Sequence, residues 1–213
     1  MGGTGDIRKF FASIDHSILK NILSRHISDV DVTRLLSRII DSFHTENMVG
    51  IGLPLGNLTS QLLVNIYMNE FDQFVKRELK VSCYIRYADD FVILHHDRKF
   101  LEQLVPQISK FLETKLKLVL HPNKLCVQTL VSGVDFLGWV NFPHNRVLRT
   151  TTKRRMFKKL CRNQSNETVA SYLGLLKHGN AYKLTEKIKK QGMTFLFGLY
   201  SSVGMVDKAV FLL

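Results

Sequence analysis

The 213-residue sequence is poor in proline, cysteine and tryptophan, with four, three and one residues of these types. Cys83, Cys126 and Cys161 lie far apart and form no C-x-x-C pair. This spacing argues against a disulfide framework and a zinc site, and it fits a reduced cytoplasmic protein. The apolar stretch after Met193 is interrupted by glycines, serines and a charged pair. No membrane-spanning helix, and no membrane partner, is therefore expected.

Acidic residues are also scarce, with 18 Asp and Glu against 30 Lys and Arg, for a formal net charge of +12. Most of this excess lies between residues 146 and 190. Charge runs usually become solvated helix faces, but an excess this one-sided favours a polyanionic partner, with nucleic acid ahead of an anionic membrane. The residues expected to bind nucleic acid are Lys153, Arg154, Arg155, Lys158, Lys159, Arg162 and Lys177.

The hydrophobic pattern predicts a mixed α+β fold. Apolar residues at helical spacing predict helices near residues 15–23, 31–43, 57–75, 98–116 and 151–190. Short β-rich runs are expected at 82–87, 91–94, 118–120, 125–130, 134–137 and 146–148. The pattern changes near Thr150. We therefore expect a domain over residues 1–150, with an antiparallel sheet and packed helices, and a small basic helical domain over 151–213.

Two adjacent carboxylates, Asp89 and Asp90, lie at the predicted tip of a hairpin in the run Tyr-Ala-Asp-Asp. Like charges this close repel, so a fold retains both either in water or beside a cation. Aspartate is also common at exposed hairpin tips. The dipeptide alone leaves both interpretations open.

Asp6 begins a second acidic motif, in which the paired aromatics Phe10 and Phe11 follow the acid. Together with Asp89 it would supply oxygen ligands for hard cations such as Mg²⁺, and two such ions can drive an in-line phosphoryl displacement. A surface acid and core aromatics are the alternative. The loop from Gly52 to Gly56 permits close approach of a ligand to the backbone, although a loop before a capped helix also explains it.

The order of these motifs resembles the reverse transcriptase family. The later segments follow in family order: Leu120-His-Pro-Asn-Lys124 resembles the lysine-bearing segment, Phe136-Leu-Gly-Trp139 resembles the primer grip, and residues 171–180 resemble the thumb of bacterial retron-type enzymes. The resemblance covers roughly residues 6 to 191. It implies a polymerase palm over residues 1–150, a thumb after it, and RNA-directed DNA synthesis by nucleotidyl transfer.

The same resemblance implies a role for individual residues. Asp6, Asp89 and Asp90 would hold two Mg²⁺ ions, which Mn²⁺ could replace, and Lys124 would approach the departing pyrophosphate. Nucleotide binding is implied for Phe11, as a steric gate against the ribose 2′-hydroxyl, and for Leu55, Gly56 and Gln61. Primer binding is implied for Phe136, Leu137, Gly138 and Trp139. The implied partners are template RNA, primer or cDNA, dNTPs and a small basic accessory protein.

Leu55 and Gln61 narrow the resemblance to one subgroup. Group II intron enzymes usually carry Gln before the second glycine of the loop and Ser-Pro after it, whereas this sequence has Leu55-Gly56 and Ser60-Gln61. This combination is similar to the reverse transcriptases of diversity-generating retroelements, which misincorporate opposite adenine. Loss of an amide beside the nucleotide is a physical route to lower fidelity. A neutral packing role for Leu55 is the alternative. Two other functions stay open: a catalytically incompetent RNA-binding fragment, and a group II intron maturase-like protein.

The sequence departs from the family pattern at both ends. Met-Gly-Gly-Thr-Gly precedes Asp6 where the family has a fingers region, so the sequence resembles a fragment in which the fingers are missing. Three glycines in five residues predict a poor buried strand, which would leave Asp6 without a fixed position. After Gly192 the polar alternation of the thumb is lost, which a truncated or altered reading frame would explain.

Overall fold

The computed structural model describes residues 1–46, 48–163 and 165–190, so the expectations for the C-terminal tail lie outside the described residues. The chain forms two compact units, the first from Met1 to Leu137 and the second beginning at Gly138. This division precedes the boundary expected at residue 150, and the identity of the domains as palm and thumb stays a prediction. Within the described ranges, no helix combines the length and the apolar character needed to cross a membrane.

The first unit mixes helices with short strands, which confirms the predicted α+β class. Its helices are α1 His16–His26, α2 Val30–Asp41, α3 Leu58–Gln73 and α4 Arg98–Leu116. A π-helical turn, Phe74–Glu78, continues α3, and 3-10 turns occur at Phe10–Ser13, Pro122–Lys124 and Leu130–Ser132. Its strands are β1 Gly2–Gly5, β2 Cys83–Tyr87, β3 Asp90–Leu94, β4 Cys126–Gln128 and β5 Val134–Phe136.

Side-chain caps fix where several of these helices begin. The Asp15 carboxylate accepts a hydrogen bond from the Ile18 N–H at 3.0 Å, and the Asp97 carboxylate accepts one from the Lys99 N–H at 2.9 Å. Such caps satisfy otherwise unpaired donors, and each stabilises the fold by about 1 kcal/mol. Asn57 stands at the predicted start of α3 but makes no capping hydrogen bond with its side chain.

Four strands of the first unit form an antiparallel sheet in the order β2-β3-β1-β4. Its buried side chains share one core with α3 and α4. The ring of Phe71 on α3, for example, lies 5.2 Å from that of Phe91 on β3, in an edge-on arrangement. Only part of β2 is covered, because Ile85 and Tyr87 are exposed although an apolar, buried strand was expected there.

The glycine-rich start of the chain forms an interior strand, so the expectation of a poor strand there is wrong. β1 lies between β3 and β4, and Gly2 and Gly5 are buried. Close packing explains the composition: a Cβ at Gly5 would overlap the Phe91 ring, and one at Gly2 would lie 2.7 Å from a methyl group of Val134. Glycine is thus required by the approach of neighbouring side chains, and the strand it forms leads directly into Asp6.

Up to residue 190, where the described part of the chain ends, the second unit contains a hairpin and three helices. Strand β6, Trp139–Asn141, pairs antiparallel with β7, Arg146–Leu148. The helices are α5 Thr150–Arg162, α6 Asn166–Leu176 and α7, residues 182–190. These elements share a small core of their own, formed by Trp139, Leu148, Met156, Leu160, Leu176, Ala181 and Ile188.

Candidate active site

Three carboxylates meet at one end of the four-stranded sheet. Strand β1 pairs with β3 up to the pair Gly5↔Phe91, so the next residue on each strand brings Asp6 opposite Asp90. Ala88 and Asp89 form the two-residue turn between β2 and β3. The antiparallel register therefore brings Asp6 next to the hairpin tip, although more than 80 residues separate them in the chain.

Lys124 is the cationic partner of this acidic cluster. Its Nζ lies 2.5 Å from Asp6 Oδ2. The 3-10 turn Pro122–Lys124 carries the lysine, and the His121 N–H donates to the Asp6 carbonyl oxygen at 2.8 Å, which ties this segment to the end of β1. The hydrogen bond to Asp6 raises the pKa of Lys124, so this side chain is a permanent positive charge at neutral pH.

The hairpin carboxylates carry more negative charge than one lysine offsets. Burial, and then repulsion by Asp89 and Asp6, raise the pKa of Asp90 to about 6. Burial and the charge of Asp6 also raise the pKa of Asp89, against the opposing effects of its own backbone N–H and of Lys124. A second cation at this point would relieve the repulsion.

The donor chemistry fits Mg²⁺, which prefers carboxylate oxygens. Among the residues that the structure describes, no group of three or more His, Cys, Asp or Glu side chains is placed so that it could hold a metal ion. The Lys124 ammonium group contacts Asp6 Oδ2, an oxygen that a metal ion at this carboxylate could use. Binding of a metal at Asp6 requires the lysine to leave that oxygen or to share the carboxylate.

A cavity of about 640 Å³ opens beside the acidic cluster. Asp6, Asp89 and Lys124 line one part of it, and Phe11 and Leu55 also reach it. Phe10 also lines the cavity but is 3% exposed and belongs to the core, whereas Phe11 is only half-buried. A cavity of this volume is in the range that accommodates small-molecule ligands such as nucleotides.

Of the other residues expected to bind nucleotide, Leu55 lines this cavity, whereas Gly56 and Gln61 lie outside it. Leu55 is 80% exposed at its edge. Gly56, with φ of 92°, and Gln61, in the first turn of α3, are exposed and do not line it. The structure therefore brings Phe11 and Leu55 together with the acids, but not Gly56 and Gln61.

One wall of the cavity comes from a segment that carries no motif. Phe43, His44, Thr45 and Glu46, between α2 and α3, line the cavity. The Thr45 hydroxyl donates to the Ala12 carbonyl oxygen at 3.0 Å, which holds this segment against the 3-10 turn after Asp6. Such a loop has no sequence signal of its own, because only the fold brings it to the site.

The predicted primer-grip residues form a constrained turn. Leu137 and Gly138, between β5 and β6, have φ values of 52° and 81°. Left-handed backbone at a residue other than glycine costs about 1–2 kcal/mol, so Leu137 is held there by its surroundings. Phe136 is half-buried, whereas Trp139 is 7% exposed and packs under Arg146, whose guanidinium lies 5.3 Å from the ring.

The basic residues of the second unit are exposed on its helices. Met156 and Leu160 form the buried side of α5. The exposed residues of this helix include Lys153, Arg154, Arg155, Lys158, Lys159 and Arg162. Lys177 follows the end of α6 and is also exposed. Because these cations are free of the core, they are accessible to a polyanion.

A family profile and several known proteins match this chain. The family profile described as reverse transcriptase (RNA-dependent DNA polymerase) matches residues 3–141. Protein YkfC of Escherichia coli K12 is 30% identical over 172 residues, 63% of this chain and 45% of that protein. Group II intron-encoded protein LtrA of Lactococcus lactis subsp. cremoris is 25% identical, over 72% of this chain and 36% of that protein. The chain thus spans less than half the length of these relatives.

A solved structure shares the fold at lower sequence identity. The telomerase from Candida albicans, in complex with a TWJ fragment of telomeric RNA, matches with a TM-score of 0.52 and 13% identity. The match covers 81% of this chain and 34% of that one. At this identity the likeness concerns the fold alone.

Proposed function

The chain belongs to the reverse transcriptase (RNA-dependent DNA polymerase) family, and on this premise we propose that it forms the catalytic palm of an RNA-directed DNA polymerase. The enzyme copies template RNA into cDNA by adding dNTPs to a primer. The observation that carries the proposal is the meeting of Asp6, Asp89 and Asp90 beside Lys124, next to a cavity of nucleotide size.

Each residue of the cluster has a distinct task in nucleotidyl transfer. Asp6, Asp89 and Asp90 would hold two Mg²⁺ ions, for which Mn²⁺ could substitute. These ions would supply electrostatic stabilisation for attack by the primer 3′-hydroxyl and for departure of the pyrophosphate. Lys124 supplies a proton or a countercharge to that leaving group, since its ammonium group already lies at the acids.

The remaining contacts orient the substrates. Phe11 reaches the cavity and, as a steric gate, excludes a ribose 2′-hydroxyl by its bulk. The turn from Phe136 to Trp139 holds the primer end. The exposed lysines and arginines of α5 hold the phosphates of the template and primer. Fixing both reactants before the chemical step removes much of its entropic cost.

Leu55 supports a more specific proposal, that the polymerase serves a diversity-generating retroelement. Its side chain is exposed at the edge of the cavity and offers no polar group to an incoming nucleotide. Discrimination between bases then depends on shape and pairing alone, which lowers fidelity. A small basic accessory protein would be a partner of an enzyme of this type.

A group II intron maturase-like role is the second candidate. The similarity to the group II intron-encoded protein of Lactococcus lactis favours it. The two candidates differ in what the protein does to RNA, because a maturase-like protein would promote splicing of an intron whereas a retroelement polymerase needs only to copy its template. A splicing assay with a group II intron RNA, run beside the polymerase assay, separates them.

Primer extension on an RNA template with Mg²⁺ tests the proposed activity. We expect the chain to extend the primer and the Asp89→Ala variant to be inactive, because a metal ligand is removed. Asp31→Asn is the matched control, since Asp31 is an exposed acid on α2. If the chain and Asp89→Ala are equally inactive while both bind RNA, the protein is an RNA-binding module and the polymerase proposal is wrong.

A further inference from the structure

A partly buried ion pair lies next to the catalytic hairpin. The Arg86 guanidinium binds Asp72 through two parallel hydrogen bonds, from Nε to Oδ1 at 2.7 Å and from Nη2 to Oδ2 at 2.6 Å. Arg86 lies on β2 and Asp72 lies near the end of α3. The Arg86 side chain is 9% exposed, so the pair is shielded from solvent on the arginine side.

Tyr84 completes the set of donors to the same carboxylate. Its hydroxyl donates to Asp72 Oδ1 at 2.7 Å. Burial, and then the hydrogen bond and charge of Asp72, raise the pKa of Tyr84, which keeps the hydroxyl protonated as a donor. The Asp72 carboxylate is therefore held by two side chains of β2 at once, and a planar guanidinium bound in this bidentate way has little freedom to turn.

Two nitrogens of the Arg86 guanidinium bind Asp72, and the third, Nη1, reaches the hairpin tip. Arg86 Nη1 donates to the carbonyl oxygen of Ala88 at 2.9 Å. Ala88 has φ of 53°, a left-handed conformation that costs an alanine about 1–2 kcal/mol. This carbonyl is part of the peptide bond that joins Ala88 to Asp89. A strained turn beside a reactive site persists only when its surroundings hold it.

We propose that Arg86 and Asp72 are positioning residues of the catalytic hairpin. Asp72 fixes the guanidinium, the guanidinium fixes the Ala88 carbonyl, and the orientation of the Asp89 and Asp90 carboxylates follows from that turn. Neither residue contacts substrate in this role. The inference rests on the proposed function. It adds two residues outside the Tyr-Ala-Asp-Asp motif that hold the metal-binding acids in position.

An ordinary core ion pair would behave differently. A buried pair that serves only stability leaves the ligand affinity of the folded protein unchanged when it is removed, provided that the protein still folds. A positioning pair alters the affinity of the acids for a divalent cation and the rate of the chemical step. Removal of residues that orient metal ligands typically lowers metal affinity or activity by about 10–100-fold.

The test measures Mn²⁺ binding to the free protein by electron paramagnetic resonance, and Mg²⁺-dependent primer extension. In Arg86→Met we expect the Mn²⁺ affinity and the extension kcat each to fall by roughly tenfold or more, while the KM for dNTP changes little. Arg86→Lys should be intermediate, because one ammonium group cannot bind both Asp72 oxygens and also reach Ala88. Asp72→Asn, which preserves shape, should change Mn²⁺ affinity in the same direction.

Two control variants separate positioning from general destabilisation. Arg98→Met removes an exposed ion pair with Glu102 on α4. Leu112→Ala removes a fully buried side chain from the same core and lowers the melting temperature without touching the hairpin. Both should bind Mn²⁺ with wild-type affinity at a temperature where every variant is folded.

The outcomes distinguish this inference from the proposed function. If Arg86→Met and Asp72→Asn fold and bind Mn²⁺ as the wild type does, the positioning role is refuted, whether or not the protein extends primers. If the wild type binds Mn²⁺ and loses affinity on substitution but never extends a primer, the positioning role stands and the polymerase proposal is wrong. A wild type that neither binds Mn²⁺ nor extends primers overturns both.

Discussion

Lys124 Nζ lies 2.5 Å from Asp6 Oδ2, so a lysine of the protein itself contacts an oxygen of the proposed metal site. The lysine side chain is 54% exposed and the Asp6 side chain is 13% exposed. The ammonium group can therefore move into solvent, whereas the carboxylate stays with the sheet. Under the proposed function, Lys124 would compete with cations before the reaction and would be available to the leaving group during it.

The first prediction concerns the Lys124→Met variant, in which these two roles have opposite consequences. Without the ammonium group the acids lose their internal counterion, so the affinity of the free protein for Mn²⁺ should rise. Primer extension at saturating Mg²⁺ should fall by roughly a hundredfold or more, because the leaving pyrophosphate loses its acid or countercharge. Mn²⁺ titration and single-turnover extension measure the two effects separately. Lys115→Met, an exposed lysine on α4, is the control, and a parallel fall in both quantities would contradict the competition.

The second prediction tests the link between Leu55 and fidelity. In Leu55→Gln an amide is restored at the edge of the cavity, and misincorporation opposite template adenine should fall by roughly tenfold. Sequencing of cDNA copied from one defined template measures this. Leu58→Gln is a close match as a control, because Leu58 is 81% exposed but does not line the cavity. Equal error rates in Leu55→Gln and the wild type would make Leu55 a neutral packing residue.

Elements that depend on local chemistry could be predicted from the sequence. The Asp15 cap begins α1, and the apolar spacing after Asp97 marks α4 at Arg98–Leu116. Both signals lie within a few residues of the structure they produce. The meeting of Asp6 with the hairpin was also expected, but only through resemblance to a family, because no local pattern relates residues so distant in the chain.

Features that depend on distant neighbours could not be predicted in this way. Glycine suits β1 only because the Phe91 ring and Val134 lie against it, and propensity alone argues the opposite. The strand β6 is three residues long and too short for a periodic signal. Arg86 lies directly before the Tyr-Ala-Asp-Asp motif, yet its partner Asp72 is on another element, so the ion pair exists only in the fold.

The third prediction concerns the exposed lysines and arginines of α5. If they bind phosphates, RNA affinity should fall steeply with salt, because binding releases condensed counterions. The variant Lys158→Gln with Arg162→Gln should weaken binding for all RNA sequences alike and reduce the slope of log affinity against log salt by about 0.7 for each single-strand phosphate that the variant no longer neutralises. Filter binding across a salt series measures the slope. The control, Lys99→Gln with Lys110→Gln, removes two exposed charges from α4, and an equal weakening there would show that only net charge matters.

The last prediction concerns the ion pair between Asp15 and Lys117, which lie 2.6 Å apart at Oδ2 and Nζ. Burial alone would raise the pKa of Asp15, but hydrogen bonds from Lys117 and from the Ile18 N–H lower it below 3.8. Since the folded pKa is below the unfolded one, this stabilisation is complete above pH 3.8 and is lost as the pH falls through the folded value. Lys117→Met should lower the free energy of unfolding at neutral pH by about 1 kcal/mol, a value reduced by the exposure of the lysine. Urea unfolding should show this difference shrinking as the pH falls below 3.8, with Lys110→Met unchanged throughout. A difference that stays constant on acidification would mean that Lys117 stabilises the fold by packing and not through the Asp15 carboxylate.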